Sequence, residues 1–165
     1  MTRKTEGAYT AFDALRKKFI QVSEMAESNQ RSRETSAPPD RVWRVWSDTS
    51  SWPEWNPDMK SVDLDGPFAS GTTGKMETKS GGHHQIALQD VEEGRGFTLV
   101  SDGVPLTKLH FRCEIAASGA GSRISQAVTL HGGLAMVMGG MVTGRIVPTF
   151  DAILEGLAAK AEAAS

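Results

Sequence analysis

The chain has 165 residues, 39% apolar and 23% charged, with a net charge of −2, which suits one globular domain with a core of its own. That balance leaves no basic face for nucleic acid. The single cysteine, Cys113, excludes an intrachain disulfide and a cysteine-built metal cluster. The opening MTRKTEGAYT lacks the apolar core of a secretory signal, and the run LAMVMGGMV at 134–142 falls well short of the ~20 residues of a membrane span. The expected location is the cytoplasm.

Residues 8–27 place Tyr9, Phe12, Leu15, Phe19, Val22 and Ala26 at helical spacing, with Arg16, Lys17 and Lys18 turned largely away. The spacing predicts an amphipathic helical extension over 1–27, in front of a domain at 28–165. Its basic cluster makes it a candidate for docking on a partner protein or a membrane surface; alternatively it caps an open edge of its own domain. The polar stretch NQRSRET (29–35) leads to Pro38-Pro39. DRVWRVWS (40–47) then reads as a short helix with Val42, Trp43, Val45 and Trp46 inward. SWPEWNP (51–57) follows as one helical turn. Ser51 and Glu54 have capping-box spacing, Pro53 sits in the first turn, and Pro57 ends the turn. Trp52 and Trp55 share a side of it.

The period then changes. SVDLD (61–65), GKMETK (74–79), HQIALQDV (84–91), GFTLVS (96–101), KLHFRCEI (108–115) and RISQAVTL (123–130) have strand character. Short turn signals such as Gly66-Pro67, Asp102-Gly103 and Ser118-Gly119 join them, which predicts an antiparallel meander. Leu109, Phe111, Cys113 and Ile115 alternate with Lys108, His110, Arg112 and Glu114, so one face is covered and the other wet. From about 134 to 164 the pattern is helical, with Pro148 as a kink or a join. The plan is α+β, with one face of a curved sheet gripping a C-terminal helix.

SAPPDRVWRVWSD (36–48), WPEWNP (52–57), LDGP (64–67), EEGRGF (92–97) and the C-terminal helix resemble the START-related helix-grip superfamily (SRPBCC), in its polyketide cyclase/dehydrase and lipid-transport branch. The resemblance covers roughly residues 30 to 160. It implies a helix-grip fold: a curved antiparallel sheet of about six to seven strands wrapped on a long C-terminal helix, with two short helices after the first strand. It also implies a deep, largely apolar cavity between sheet and helix for a hydrophobic small molecule. In the register of the superfamily's first strand, Arg31, Arg33 and Thr35 face inward, and such arginines need an acidic partner unless the strand frays. Met25 looks like a natural start for the family, which makes residues 1–24 an extension or the product of an upstream start codon.

The candidate ligand-binding residues are Trp52, Trp55, Met76, His84, Leu99, Phe111, Gln126, Met138, Met141 and Arg145. For the tryptophans, a clamp on the core and a wall for a flat ligand are both open. Met136, Met138 and Met141 lie among Gly133, Gly139, Gly140 and Gly144. Close packing of helix on sheet would explain the glycines, and so would an adaptable methionine-lined lid. Gln126 on the covered face either bonds a neighbour such as Arg33 or serves a ligand. Arg145 either snorkels to solvent or reaches a ligand anion. His83 and His84 fall on opposite faces, His110 on the wet face and His131 just past the last strand, a spacing that predicts no metal site. Cys113 reads as a small core hydrophobe.

No nucleophile motif, phosphate loop or His-Glu metal pattern is present in the sequence, and no cofactor is expected. The catalytic candidates are His84, Arg145 and Arg33. The expected function is binding of an apolar or aromatic small molecule in a cavity on the order of 300–1,000 Å³. The alternatives are a cyclase/dehydrase-like enzyme using the same cavity and an interaction module acting through residues 8–27. Cyclases of this fold are thought to use an arginine with phenolic hydroxyls, whereas the only tyrosine here is Tyr9.

Overall fold

The computed structural model describes residues 16–17 and 29–164. The proposed helical extension and the reading of residues 1–24 lie outside the described residues, apart from Arg16 and Lys17, which are helical. Strand β1 (Gln30–Thr35) comes first, then helix α1 (Pro39–Ser47), a 3₁₀ turn at Thr49–Ser51 and the one-turn helix α2 (Trp52–Trp55). Six strands follow: β2 (Met59–Leu64), β3 (Thr73–Thr78), β4 (His83–Glu92), β5 (Gly96–Val104), β6 (Thr107–Ser118) and β7 (Gly121–Gly132). Helices α3 (Ala135–Ile146) and α4 (Thr149–Ala163) close the chain.

The strands form one antiparallel sheet in the order β1-β7-β6-β5-β4-β3-β2. Residues β2 to β7 are the expected meander, and β1 returns to pair with β7 along Gln30↔Ala127 to Thr35↔Ser122. Irregular pairing near Met59/Ser61, Gln89/Glu92 and Asp102/Val104 bends the sheet, since an extra residue on one strand increases local twist. His131 falls inside β7, which runs two residues beyond the predicted strand end. It is paired across from Lys108.

Pro148 marks a join. The two C-terminal helices meet at a bend of 46°, because proline lacks the N–H that would continue the helical ladder. Helix α4 packs on β1, α1 and α2 and buries Phe150, Ile153, Leu154, Leu157, Ala158 and Ala161. Each large side chain so buried contributes about 1.5–3 kcal/mol. Among the described residues, no single helix is long and apolar enough to cross a membrane.

Helix α1 buries Val42, Trp43, Val45 and Trp46, the four expected positions. The two tryptophan rings gather on Phe97, the last residue of the EEGRGF stretch. Its centroid lies 6.4 Å from that of Trp43, 5.5 Å from Trp46, 6.4 Å from Trp52 and 4.9 Å from Phe68. Gly96 immediately before it has φ of +151°, and a Cβ there would stand 2.2 Å from the Cys113 carbonyl oxygen. Only glycine admits that approach of β5 to β6.

Candidate functional site

Between the inner face of the sheet and the helices lies a cavity of about 340 Å³. Trp52 and Trp55 line it and are also buried, so the core clamp and the cavity wall are one structure. The polar ends of both rings are bonded within their own segment. Trp52 Nε1 donates to the Trp46 carbonyl at 2.9 Å and Trp55 Nε1 to Ser51 Oγ at 3.3 Å. Ser51 Oγ itself donates to the Asp48 carbonyl at 2.9 Å, and Glu54 bonds Lys160 of α4. The predicted capping box does not form, because both of its side chains are drawn to other partners.

Of the remaining predicted wall residues, Met76, Leu99 and Phe111 line the cavity from the sheet. Met138 and Met141 do not. Helix α3 presents Val142, Arg145 and Ile146 to the cavity instead, and Met141 is exposed. The run 134–142 is apolar all round, so its spacing does not distinguish the inner side of the helix from the outer. A Cβ added at Gly139, Gly140 or Gly144 would meet nothing within 4 Å, so close packing against the sheet does not account for these glycines. Trp46, Phe97, Leu109, Phe150 and Ile153 also line the cavity and were not anticipated there. The inward side of α1, the alternation of β5 and β6 and the helical spacing of α4 were the signals that could have found them.

The polar groups are few. His84 is half-buried, and its Nδ1 lies 2.7 Å from the Asp102 carbonyl oxygen. A carbonyl only accepts, so the proton sits on Nδ1, and Nε2 of the neutral ring keeps its lone pair. His83 points to the other face and is exposed near Glu77. Gln126 stands across from Cys113 on one side and Arg31 on the other. Its Oε1 is buried without a hydrogen-bond partner, a costly condition for an amide oxygen. Arg145 is exposed, lines the cavity, and has no ion-pair or hydrogen-bond partner among the described residues. Asp58 also lines the cavity, without pairing to it.

Arg33 is not a cavity residue. It approaches Glu155 at 4.0 Å, and Arg31 approaches Asp151 at 3.4 Å. The expected acidic partners are there, but β1 is the edge strand beside α4, so both guanidiniums reach exposed carboxylates on the flank of that helix. Arg33 is thereby removed as a catalytic candidate and as the partner of Gln126.

Cys113 is buried against the cavity, and burial pushes its thiol far above the ordinary range. It stays protonated and acts as packing. On the outer face, burial and the neighbouring His131 lower the pKa of His110, with the two rings 4.2 Å apart. No group of three His, Cys, Asp or Glu side chains able to hold a metal occurs among the described residues.

Solved structures share this architecture at low identity. A START superfamily protein from Mycobacterium smegmatis aligns with a TM-score of 0.68 and 17% identity, over 82% of this chain and 97% of that one. Ara h 8.0201 aligns with a TM-score of 0.59 and 18% identity, over 79% and 96%. The di-domain ARO/CYC StfQ from the steffimycin biosynthetic pathway aligns with a TM-score of 0.65 and 13% identity, over 85% of this chain and 53% of that one. No curated protein matches the chain. The family model for polyketide cyclase/dehydrase and lipid transport matches residues 27–162, and the chain belongs to that family.

Proposed function

We propose that the protein binds an apolar or aromatic small molecule in the cavity between sheet and C-terminal helices. The ligand carries a hydrogen-bond donor for Gln126 and an acceptor or anionic group for Arg145. The observation that carries this reading is the unpartnered Gln126 Oε1 on the wall of an otherwise apolar cavity. A ligand hydroxyl would remove the desolvation cost of that oxygen, while the tryptophan and phenylalanine walls supply affinity through burial.

A second reading, an enzyme of the cyclase/dehydrase kind, is favoured by His84. Its Nδ1 is anchored on the Asp102 carbonyl, which leaves Nε2 able to take a proton from a bound carbonyl compound. The two readings separate on His84→Gln, which abolishes turnover but spares ligand affinity if His84 is a base.

Titration with anilinonaphthalene sulfonate, an aromatic anion, tests the binding reading. Saturable one-to-one binding with energy transfer from tryptophan is expected, and Met76→Trp, which fills the cavity, abolishes it. Failure to saturate, or binding unchanged in Met76→Trp, overturns the reading.

A further inference from the structure

The end of the molecule next to the cavity carries the largest exposed apolar side chains among the described residues. Met136 is 99% exposed, Leu106 84%, Val137 83% and Met141 56%. Leu106 sits in the β5–β6 turn, and its carbonyl accepts from Gly133 N at 3.2 Å, just before α3, so turn and helix form one continuous tip. Side chains this exposed on a projecting tip fill no groove, and soluble proteins rarely leave such a cluster uncovered without a use for it.

Charge points to what covers it. No carboxylate occurs between Asp102 and Glu114 or between Glu114 and Asp151. The cations in those segments divide clearly. Arg112 is paired with Glu114 and Arg123 approaches Glu34, whereas Lys108, two residues from Leu106, and Arg145 of α3 have no ion-pair partner among the described residues. Asp102 stands across from Lys108 in the sheet without forming an ion pair with it; its carboxylate accepts from the Gln85 N–H at 2.6 Å. Exposed long apolar chains beside unpaired cations are the pattern of a peripheral contact with anionic lipid.

We propose that this tip, Leu106 with Met136, Val137 and Met141, docks on an anionic lipid bilayer, with Lys108 and Arg145 against the headgroups. The same helix that meets the bilayer lines the cavity through Val142, Arg145 and Ile146. Its Gly139, Gly140 and Gly144 face open space. Leu106, Met136, Val137 and Met141 do not line the cavity; Arg145 belongs to both surfaces, and only its share of the contact rests on the proposed function.

The test is co-sedimentation of the full chain with phosphatidylcholine vesicles, with and without phosphatidylglycerol, beside analytical ultracentrifugation without lipid. Binding to the anionic vesicles is expected, weakening with salt. The double variant Met136→Asp/Val137→Asp should keep its circular dichroism and lower the partition by about tenfold or more. Three results overturn the proposal: no binding to anionic vesicles at low salt, binding unaffected by the double substitution, or a lipid-free dimer that the substitution dissolves. The second places the contact elsewhere on the chain, and the third makes the tip an interface between copies.

Discussion

Gly156 of α4 lies so close to Trp55 that a Cβ at 156 would stand 1.9 Å from the Trp55 carbonyl oxygen. The partner atom is backbone, so nothing flexible can give way. The long helix is thereby seated on the turn that carries Trp52 and Trp55. Gly156→Ala should destabilise the fold by about 1–3 kcal/mol, the range for overpacking. Denaturant unfolding measures it. A neutral result would mean that α4 is not held at this distance.

Gln126→Leu separates a ligand contact from a structural one. The Gln126 oxygen has no partner to lose, so the variant should be as stable as the parent or slightly more so. Affinity for a hydroxylated ligand should fall about tenfold, while affinity for its deoxy analogue holds. Equal losses for both ligands would show that Gln126 only shapes the wall.

Phe97 and Met141 form a contrasting pair. Phe97 joins the rings of Trp43, Trp46, Trp52 and Phe68, and Phe97→Ala should cost about 3–5 kcal/mol. Met141 is exposed, and Met141→Ala should change stability by no more than about 0.5 kcal/mol. Thermal melts of both variants check the prediction, and a large loss at Met141 would put it back against the core.

Acid should loosen the junction between α4 and β1. Glu162 Oε1 accepts from Ser36 N at 3.0 Å and Thr35 Oγ1 at 2.8 Å. The Ser36 N–H and then the Thr35 hydroxyl hold its carboxyl below the ordinary 4.5. With the folded value depressed, this contribution is present above pH 4.5 and is lost as pH falls through the folded value. The melting-temperature advantage of the wild type over Glu162→Gln should shrink on acidification through that window. A difference constant with pH would contradict it.

The strands were legible because one face of the sheet is packed and the other wet, so Leu109, Phe111, Cys113 and Ile115 alternate cleanly with polar neighbours. The short helices were legible because proline and tryptophan punctuate them. What escaped was set by distant partners. The resemblance to the superfamily's first strand aimed Arg33 inward but could not say that an edge strand meets Glu155 on the flank of α4 instead of the cavity. Ser51 and Glu54 had the spacing of a cap, yet the Asp48 carbonyl and Lys160 claimed them. The glycine- and methionine-rich helix α3 carries no polar side to orient it, so Met138 and Met141 were assigned to the cavity that Val142 and Ile146 line.

Native mass spectrometry of the purified full chain, followed by denaturing spectra of the same sample, tests ligand binding most directly. The expected result is a bound small molecule that is lost on denaturation, or one taken up from a library of hydrophobic compounds. Bare protein in both conditions would contradict it and leave Trp52, Trp55 and Phe111 as packing alone.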